Sequence, residues 1–246
     1  MWPKTAAGLP SQFWPQSRSN VVQVEQTAEM ETAWGRVDLL RPDPNVFRVN
    51  GHLAHTLTKI NRWNGHTWTP WSVAAHSVVA AWLVPPRWRL LALVHDAHEA
   101  ICGDLCRPLR ELLPDFLRIE QGWKKAVEER WDLQVSPESD FVIRVIDSHL
   151  AATEARDLLR RRNLEATSIG GAAPLPLSLQ SPGILSFQAR PERWAQAWAA
   201  LASEDESRLE EWEEATRVLG ESAGFHLETS RRMVADSIRA ALGGHS

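Results

Sequence analysis

The chain has 246 residues, 43% hydrophobic and 24% charged, with a formal net charge of −4. That length can bury a sizeable core as one domain or one plus an appendage, and the composition excludes a disordered or fibrous chain. With no global basic field, a nucleic-acid backbone is excluded as the main partner, so a small anionic ligand would need a local cationic pocket.

In chain order, Pro3, Pro10 and Pro15 among Ser and Gln mark residues 1–30 as a loosely packed arm. No basic segment followed by an apolar one opens the chain, so no secretory signal is expected. Glu31–Pro42 reads as a short hairpin with Gly35 at the turn. A helix is expected over about Val49–Asn61, with Leu53, Leu57 and Ile60 on one face, and a polar, aromatic loop over Arg62–Trp71. Ser72 caps the next helix, which ends at Pro85–Pro86, and Trp88–Ile101 reads as one apolar helix stopped by Gly103. Pro108–Leu113 is a turn. Asp115–Trp131 is amphipathic, with Phe116, Ile119, Trp123, Val127 and Trp131 on one stripe.

Ser136-Pro137-Glu138 opens a helix to about Arg161, and Gly170–Pro182 is a loop without period. Pro191–Ala202 is helical, Glu204–Glu214 is an acidic, solvated face, and Glu228–Leu242 is a last helix that packs on the body or on a second copy of the chain. These readings give an all-α fold with a small N-terminal hairpin, divided into an arm (1–30), a main domain (31–203) and a helical C-terminal extension (204–246). The longest apolar runs are broken by Pro85–Pro86 or by His95 and Asp96, so no membrane partner is expected and the location is cytoplasmic. Cys102 and Cys106, four apart, suit reduced thiols better than a disulfide. Thirteen Trp with no Tyr are read as aromatic packing.

The chemistry lies in polar residues set inside apolar helices. His95 and Asp96 interrupt Leu90–Val94, and an unpaired carboxylate buried there would cost several kcal/mol, so a cation or a metal must compensate it. His76 lies in Ser72-Val-Ala-Ala-His-Ser-Val-Val, and Asp147 in Phe141-Val-Ile-Arg-Val-Ile-Asp. Two imidazoles and two carboxylates from three helices suit one divalent cation with water in the open positions. Zn, Mn, Co or Mg are all compatible.

These four residues resemble the H…HD…D pattern of the HD-domain phosphohydrolase superfamily. Asn61-Arg62-Trp63, Ser72–Ser77 and His95-Asp-Ala-His-Glu99-Ala-Ile-Cys-Gly103-Asp104 are similar to its nucleotidase branch, which includes bacterial 5′-deoxynucleotidases and phage dATP triphosphohydrolases. The likeness runs from about Thr32 to Arg160. It implies an HD-type helical bundle and a metal-dependent enzyme that cleaves the 5′-phosphate ester of deoxynucleoside mono- or triphosphates, dATP among them.

The resemblance further implies Glu99 as acid–base group and Asp104 as a second acid near the scissile bond, although Asp104 could equally cap a turn. Arg62 matches an arginine that meets substrate phosphate. Trp63 is a candidate to stack on base or sugar, His66 to reach the phosphates, and Lys59 is a weaker candidate for that work. His52, His55, His98 and His149 receive no role. Two other readings stay open, namely an HD hydrolase of another signalling or cyclic nucleotide, and a non-catalytic regulatory module that keeps the metal for structure.

Overall fold

The computed structural model describes residues 27–47, 51–159, 171–202 and 227–243. The arm up to residue 26 and the acidic stretch around Glu204–Glu214 lie outside them. The fold is mostly helical, with one two-stranded antiparallel hairpin. Among the described residues no helix is long and apolar enough to cross a membrane.

The hairpin pairs β1 (Glu29–Thr32) with β2 (Gly35–Asp38), and Met30 faces Val37 in the register. Its turn is Ala33–Trp34 rather than Gly35. Thr32 Oγ1 closes that turn by donating to Gly35 O, and Gly35 opens β2 at a φ of 124° that favours glycine.

α1 (Gly51–Leu57) is shorter than expected and buries Leu53 and Leu57. Every residue of α2 (Val73–Leu83) is buried, so it forms the axis of the bundle. Its N-terminus is capped by Ser72, whose Oγ accepts from Ala75 N at 3.2 Å. Short helices follow, α3 (Arg89–Val94), α4 (Glu99–Cys102) and α5 (Arg107–Arg110), then two long ones, α6 (Pro114–Arg130) and α7 (Pro137–Leu158). Ser136 and Ser139 form a reciprocal capping box at the start of α7.

The expected single helix over Trp88–Ile101 is in fact broken at His95–His98. Backbone bonds there run three residues back, from Ala97 N to Val94 O, Glu99 N to Asp96 O and Ile101 N to His98 O. The last turn is thus wound tighter than an α-helix, which swings Asp96 and Glu99 relative to His95. Pro108–Leu113, expected as a turn, begins inside α5.

The stretch 171–181, expected to be aperiodic, is an irregular strap that bends at Pro176–Leu177 and turns at Leu179–Gln180, with Leu175, Leu177 and Leu179 all fully buried. Their period is two, the spacing of side chains on an extended chain. It leads into α8 (Pro182–Gln188), not anticipated from the sequence, and α9 (Pro191–Ala202). Trp194 on α9 packs within about 6 Å of Trp71, Trp82 and Phe187, so these tryptophans serve as core, whereas Trp68 is exposed. α10 (Leu227–Gly243) lies on the same body. Val234 and Ile238 are buried, and Arg231 Nε donates to Trp82 O at 2.7 Å.

Candidate functional site

The loop between α1 and α2 is pinned at its base. Arg62 N donates to Trp71 O, Val73 N to Ile60 O, and Trp68 N to Leu158 O on α7. That closure holds Arg62 and Trp63 beside α2, with Trp63 and Asn64 in the left-handed backbone region at φ 58° and 49°. A tryptophan there is strained and is held by its neighbours. The indole Nε1–H of Trp63 donates to Glu154 Oε2 at 2.8 Å.

His76, one turn into α2, is fully buried, and its Nδ1 is 2.7 Å from Glu154 Oε1. Glu154 is itself fully buried, and its carboxyl is held down at about 2 because Arg62, His76 and Trp71 outweigh the cost of its burial. An ionised carboxylate only accepts, so Nδ1 carries a proton, and in the neutral ring Nε2 presents its lone pair. His95 is set the same way, because its Nδ1 faces Ala92 O at 2.8 Å and a carbonyl can only accept. Its Nε2 lies 3.0 Å from Asp96 Oδ2 but off the line of a hydrogen bond, so neither Nε2 has a hydrogen-bond partner among the described residues.

The two free nitrogens and Asp96 offer ligand atoms that all lie within 4.8 Å of one another. Asp147, on α7, joins them with Oδ1 3.4 Å from His76 Nε2. A divalent cation fits this set, since two buried imidazole nitrogens without partners face two carboxylates and each imidazole is fixed from behind by an acceptor. The surrounding carboxylates favour positive charge at this point, whether a proton or a metal supplies it. Burial opposes the charge on Asp96, yet His95, His76 and Arg62 hold it well below the usual carboxylate range. Burial likewise opposes a charged His95, but Asp96 and then Asp147 push it up.

These residues stand at one side of a cleft of about 310 Å³ lined by Arg62, Trp63, Asp96, Glu99, Asp104 and Asp147, among others. Glu99 is buried, and its Oε2 has no hydrogen-bond partner. Desolvation, with Asp96 and Asp104 close by, raises its carboxyl well above the ordinary value. Asp104 is raised too, chiefly by burial. Gly103, at φ 76°, turns the chain after α4 and sends Asp104 into the cleft.

Of the four residues assigned to substrate, Arg62 and Trp63 line the cleft, whereas Lys59 and His66 are exposed and do not. Arg62 is engaged from three sides, with Nε 3.2 Å from Glu154 and the terminal nitrogens each 3.5 Å from Asp96 and Asp147. Those carboxylates keep it firmly protonated against the cost of burial. Its first task is to hold the acids in place.

Three residues were not anticipated. Glu154 carried a legible signal, being an acid in the run Ala151-Ala-Thr-Glu-Ala and seven residues after Asp147, about 20° from it around α7. Arg107 and Arg110 also line the cleft. Arg110 is 3.4 Å from the buried Glu120, which also lies 3.6 Å from His98, while Arg107 makes no ion pair among the described residues. Cys102 and Cys106 are free thiols, and burial pushes Cys102 up to about 12, out of nucleophilic range.

No protein-family model matches the chain. It is 39% identical over 110 residues to the uncharacterized protein YfdR of Escherichia coli K12, covering 45% of this chain and 61% of that relative, so the chain spans about three fifths of YfdR. It is 31% identical over 160 residues to the uncharacterized protein RCAP_rcc00048 of Rhodobacter capsulatus, covering 58% of this chain and 81% of that relative. Identity of that level across four fifths of the Rhodobacter protein places the chain, plainly, in the family of RCAP_rcc00048.

Proposed function

We propose that this chain is an HD-type, divalent-metal-dependent phosphohydrolase that cleaves the 5′-phosphate ester of deoxynucleotides in the cytoplasm. One observation carries the reading. Two buried imidazole nitrogens without partners converge with Asp96 and Asp147 beside a cleft that also holds a buried glutamate with a raised pKa.

His76 and His95 would hold the cation through Nε2, and Asp96 and Asp147 through a carboxylate oxygen. A divalent cation at such a centre supplies polarisation of a phosphoryl oxygen and a more acidic water. The other steps belong to the chain. Glu99, its carboxyl raised well above the ordinary value, takes a proton from the attacking water at Oε2 and delivers it to the leaving 5′-oxygen as the P–O bond breaks. Asp104 faces the same space and steadies that proton. Water adds to phosphorus and the nucleoside leaves with the proton, whether phosphate or triphosphate is released.

Trp63 lines the cleft with its indole N–H tied down, which leaves the ring to meet base or sugar. With Arg62 committed to carboxylates, Arg107 is the cation of the lining best placed to meet a phosphate. The surplus acids Glu99 and Asp104 speak against a purely structural metal, which would need neither.

The decisive experiment measures phosphate and triphosphate release from each deoxynucleotide with Mn, Co, Zn or Mg, beside an Asp96→Asn variant. Hydrolysis by the parent and its loss together with bound metal in the variant are expected. No hydrolysis across the whole panel by metal-loaded protein would overturn the reading.

A further inference from the structure

Glu154 uses its whole accepting capacity. Oε1 takes His76 Nδ1–H at 2.7 Å and the Trp71 indole N–H at 2.7 Å. Oε2 takes the Trp63 indole N–H at 2.8 Å and Arg62 Nε–H at 3.2 Å. A carboxylate offers about four lone-pair sites, and here four donors fill them. The four donors differ in kind. Trp63 and Arg62 line the cleft, Trp71 lies in the core, and His76 is the one donor of the four whose second nitrogen can itself serve as a metal ligand.

We infer that Glu154 is a positioning residue for the metal centre, holding His76 with Nδ1 protonated and Nε2 free and tying that imidazole to the cleft residues Arg62 and Trp63. The inference rests on the metal-dependent reading above only in that the centre takes an ion. An imidazole can serve as a ligand through Nε2 only while its proton stays on Nδ1, and an acceptor fixed behind Nδ1 enforces that state.

The isosteric change Glu154→Gln separates this role from packing. An amide has one accepting end and one donating end, and both sites of Glu154 are filled by donors. Arg62 and Trp63 cannot give up their protons, but a histidine can move its proton from one nitrogen to the other. The amide oxygen therefore settles toward Arg62 and Trp63 and its NH2 toward His76 and Trp71, the arrangement in which only the Trp71 N–H loses its acceptor. His76 must then accept at Nδ1 and carry its proton on Nε2, the nitrogen that faces Asp96 and Asp147. Trp71→Phe is the packing control, since it removes a donor from the same oxygen and leaves the His76 bond intact.

The test is calorimetric titration of the full chain with Co²⁺, with the visible Co²⁺ spectrum read alongside. Glu154→Gln should weaken Co²⁺ by about 10- to 100-fold, the usual cost of losing a partner behind a ligand, and should alter the spectrum. Trp71→Phe should lower the unfolding temperature and leave both affinity and spectrum at the parent values. Should Glu154→Gln fail to fold, Glu154→Asp keeps the charge but withdraws the oxygens from His76, and the same loss of affinity is expected. A Glu154→Gln or Glu154→Asp protein that binds Co²⁺ as the parent does overturns the inference, as does an equal loss in Trp71→Phe. A parent that binds Co²⁺ and hydrolyses no deoxynucleotide sinks the phosphohydrolase reading and leaves the role of Glu154 standing.

Discussion

On one side of α7, Asp147, Ala151 and Glu154 face the cleft and the imidazoles; on the other, His149, Thr153 and Arg156 grip the leucine strap. The strap lays its leucines on the core, and among the described residues its backbone groups find side-chain partners. Thr153 Oγ1 accepts from Leu175 N at 2.9 Å, Arg156 donates to Leu175 O and Leu177 O at 2.6 Å each, and Asp157 accepts from Leu179 N at 2.7 Å. His149 faces Ala173 O through Nδ1 and Ser237 Oγ through Nε2, so both its nitrogens are used. On the strap face the polar groups of His149, Thr153, Arg156 and Asp157 all find partners within the protein. On the cleft face two imidazole nitrogens and a carboxylate oxygen are left over. A buried polar group with every bond made is structure, and one with bonds outstanding at a cleft is waiting for a ligand.

The largest effect expected is on the cleft face. Asp147→Ala should lower metal affinity by more than about 100-fold, beyond the usual cost of losing a residue behind a ligand, and hydrolysis with it. The metal-free protein should unfold within about 1 kcal/mol of the parent, because Asp147 is partly open to solvent and its ion pair with Arg62 is long. Metal titration and denaturant melts of the same sample read both numbers. A large loss of stability without loss of metal would make the cleft face structural after all.

The strap face should answer in reverse. Thr153→Val keeps the shape but strands Leu175 N without an acceptor, and a buried unsatisfied donor costs about 1–3 kcal/mol. Metal affinity and KM should not move. An unchanged melt would mean that the strap is not held by this bond.

The pattern of the sequence carried the metal-type residues because each breaks an apolar helical run, and a polar group there is costly enough to be noticed. His76, His95, Asp96 and Asp147 do come together, although from a segment that winds tighter than the helix expected at His95–His98. Glu154 escaped because its neighbours Ala, Thr and Arg are also those of an exposed helix, so only its spacing from Asp147 spoke for it. The strap escaped because Pro174, Pro176 and Ser178 alternate with its leucines and look like loop residues even where every second side chain is buried. His66 belongs to the motif Asn64-Gly-His66-Thr and Lys59 to the segment before Arg62, yet both side chains are exposed and the turn after Trp63 leaves His66 in solvent.

The smallest effect sets two buried glutamates against each other by the sign of their pH dependence. Glu154 is held down at about 2, so its charge stabilises the fold above its ordinary value of 4.5, and that contribution is lost as the pH falls toward 2. Glu99 is pushed up from the same 4.5 by desolvation and by Asp96 and Asp104, so the folded chain binds its proton more tightly than the unfolded chain does. Its contribution is fully present below pH 4.5 and is lost as the pH rises through the raised value. Glu99→Gln mimics the protonated form permanently. In chelator-stripped protein it should therefore be more stable than the parent at neutral pH, with the gain visible at about 2–4 °C per kcal/mol, and the two curves should merge below pH 4.5. The same variant, loaded with metal, should lose at least about 100-fold in hydrolysis. A residue that weakens the fold while it is charged, and whose loss stops the reaction, is kept for chemistry. If Glu99→Gln instead melts lower at neutral pH and remains active, the carboxyl belongs with His149 and Thr153 among the groups that hold the chain together.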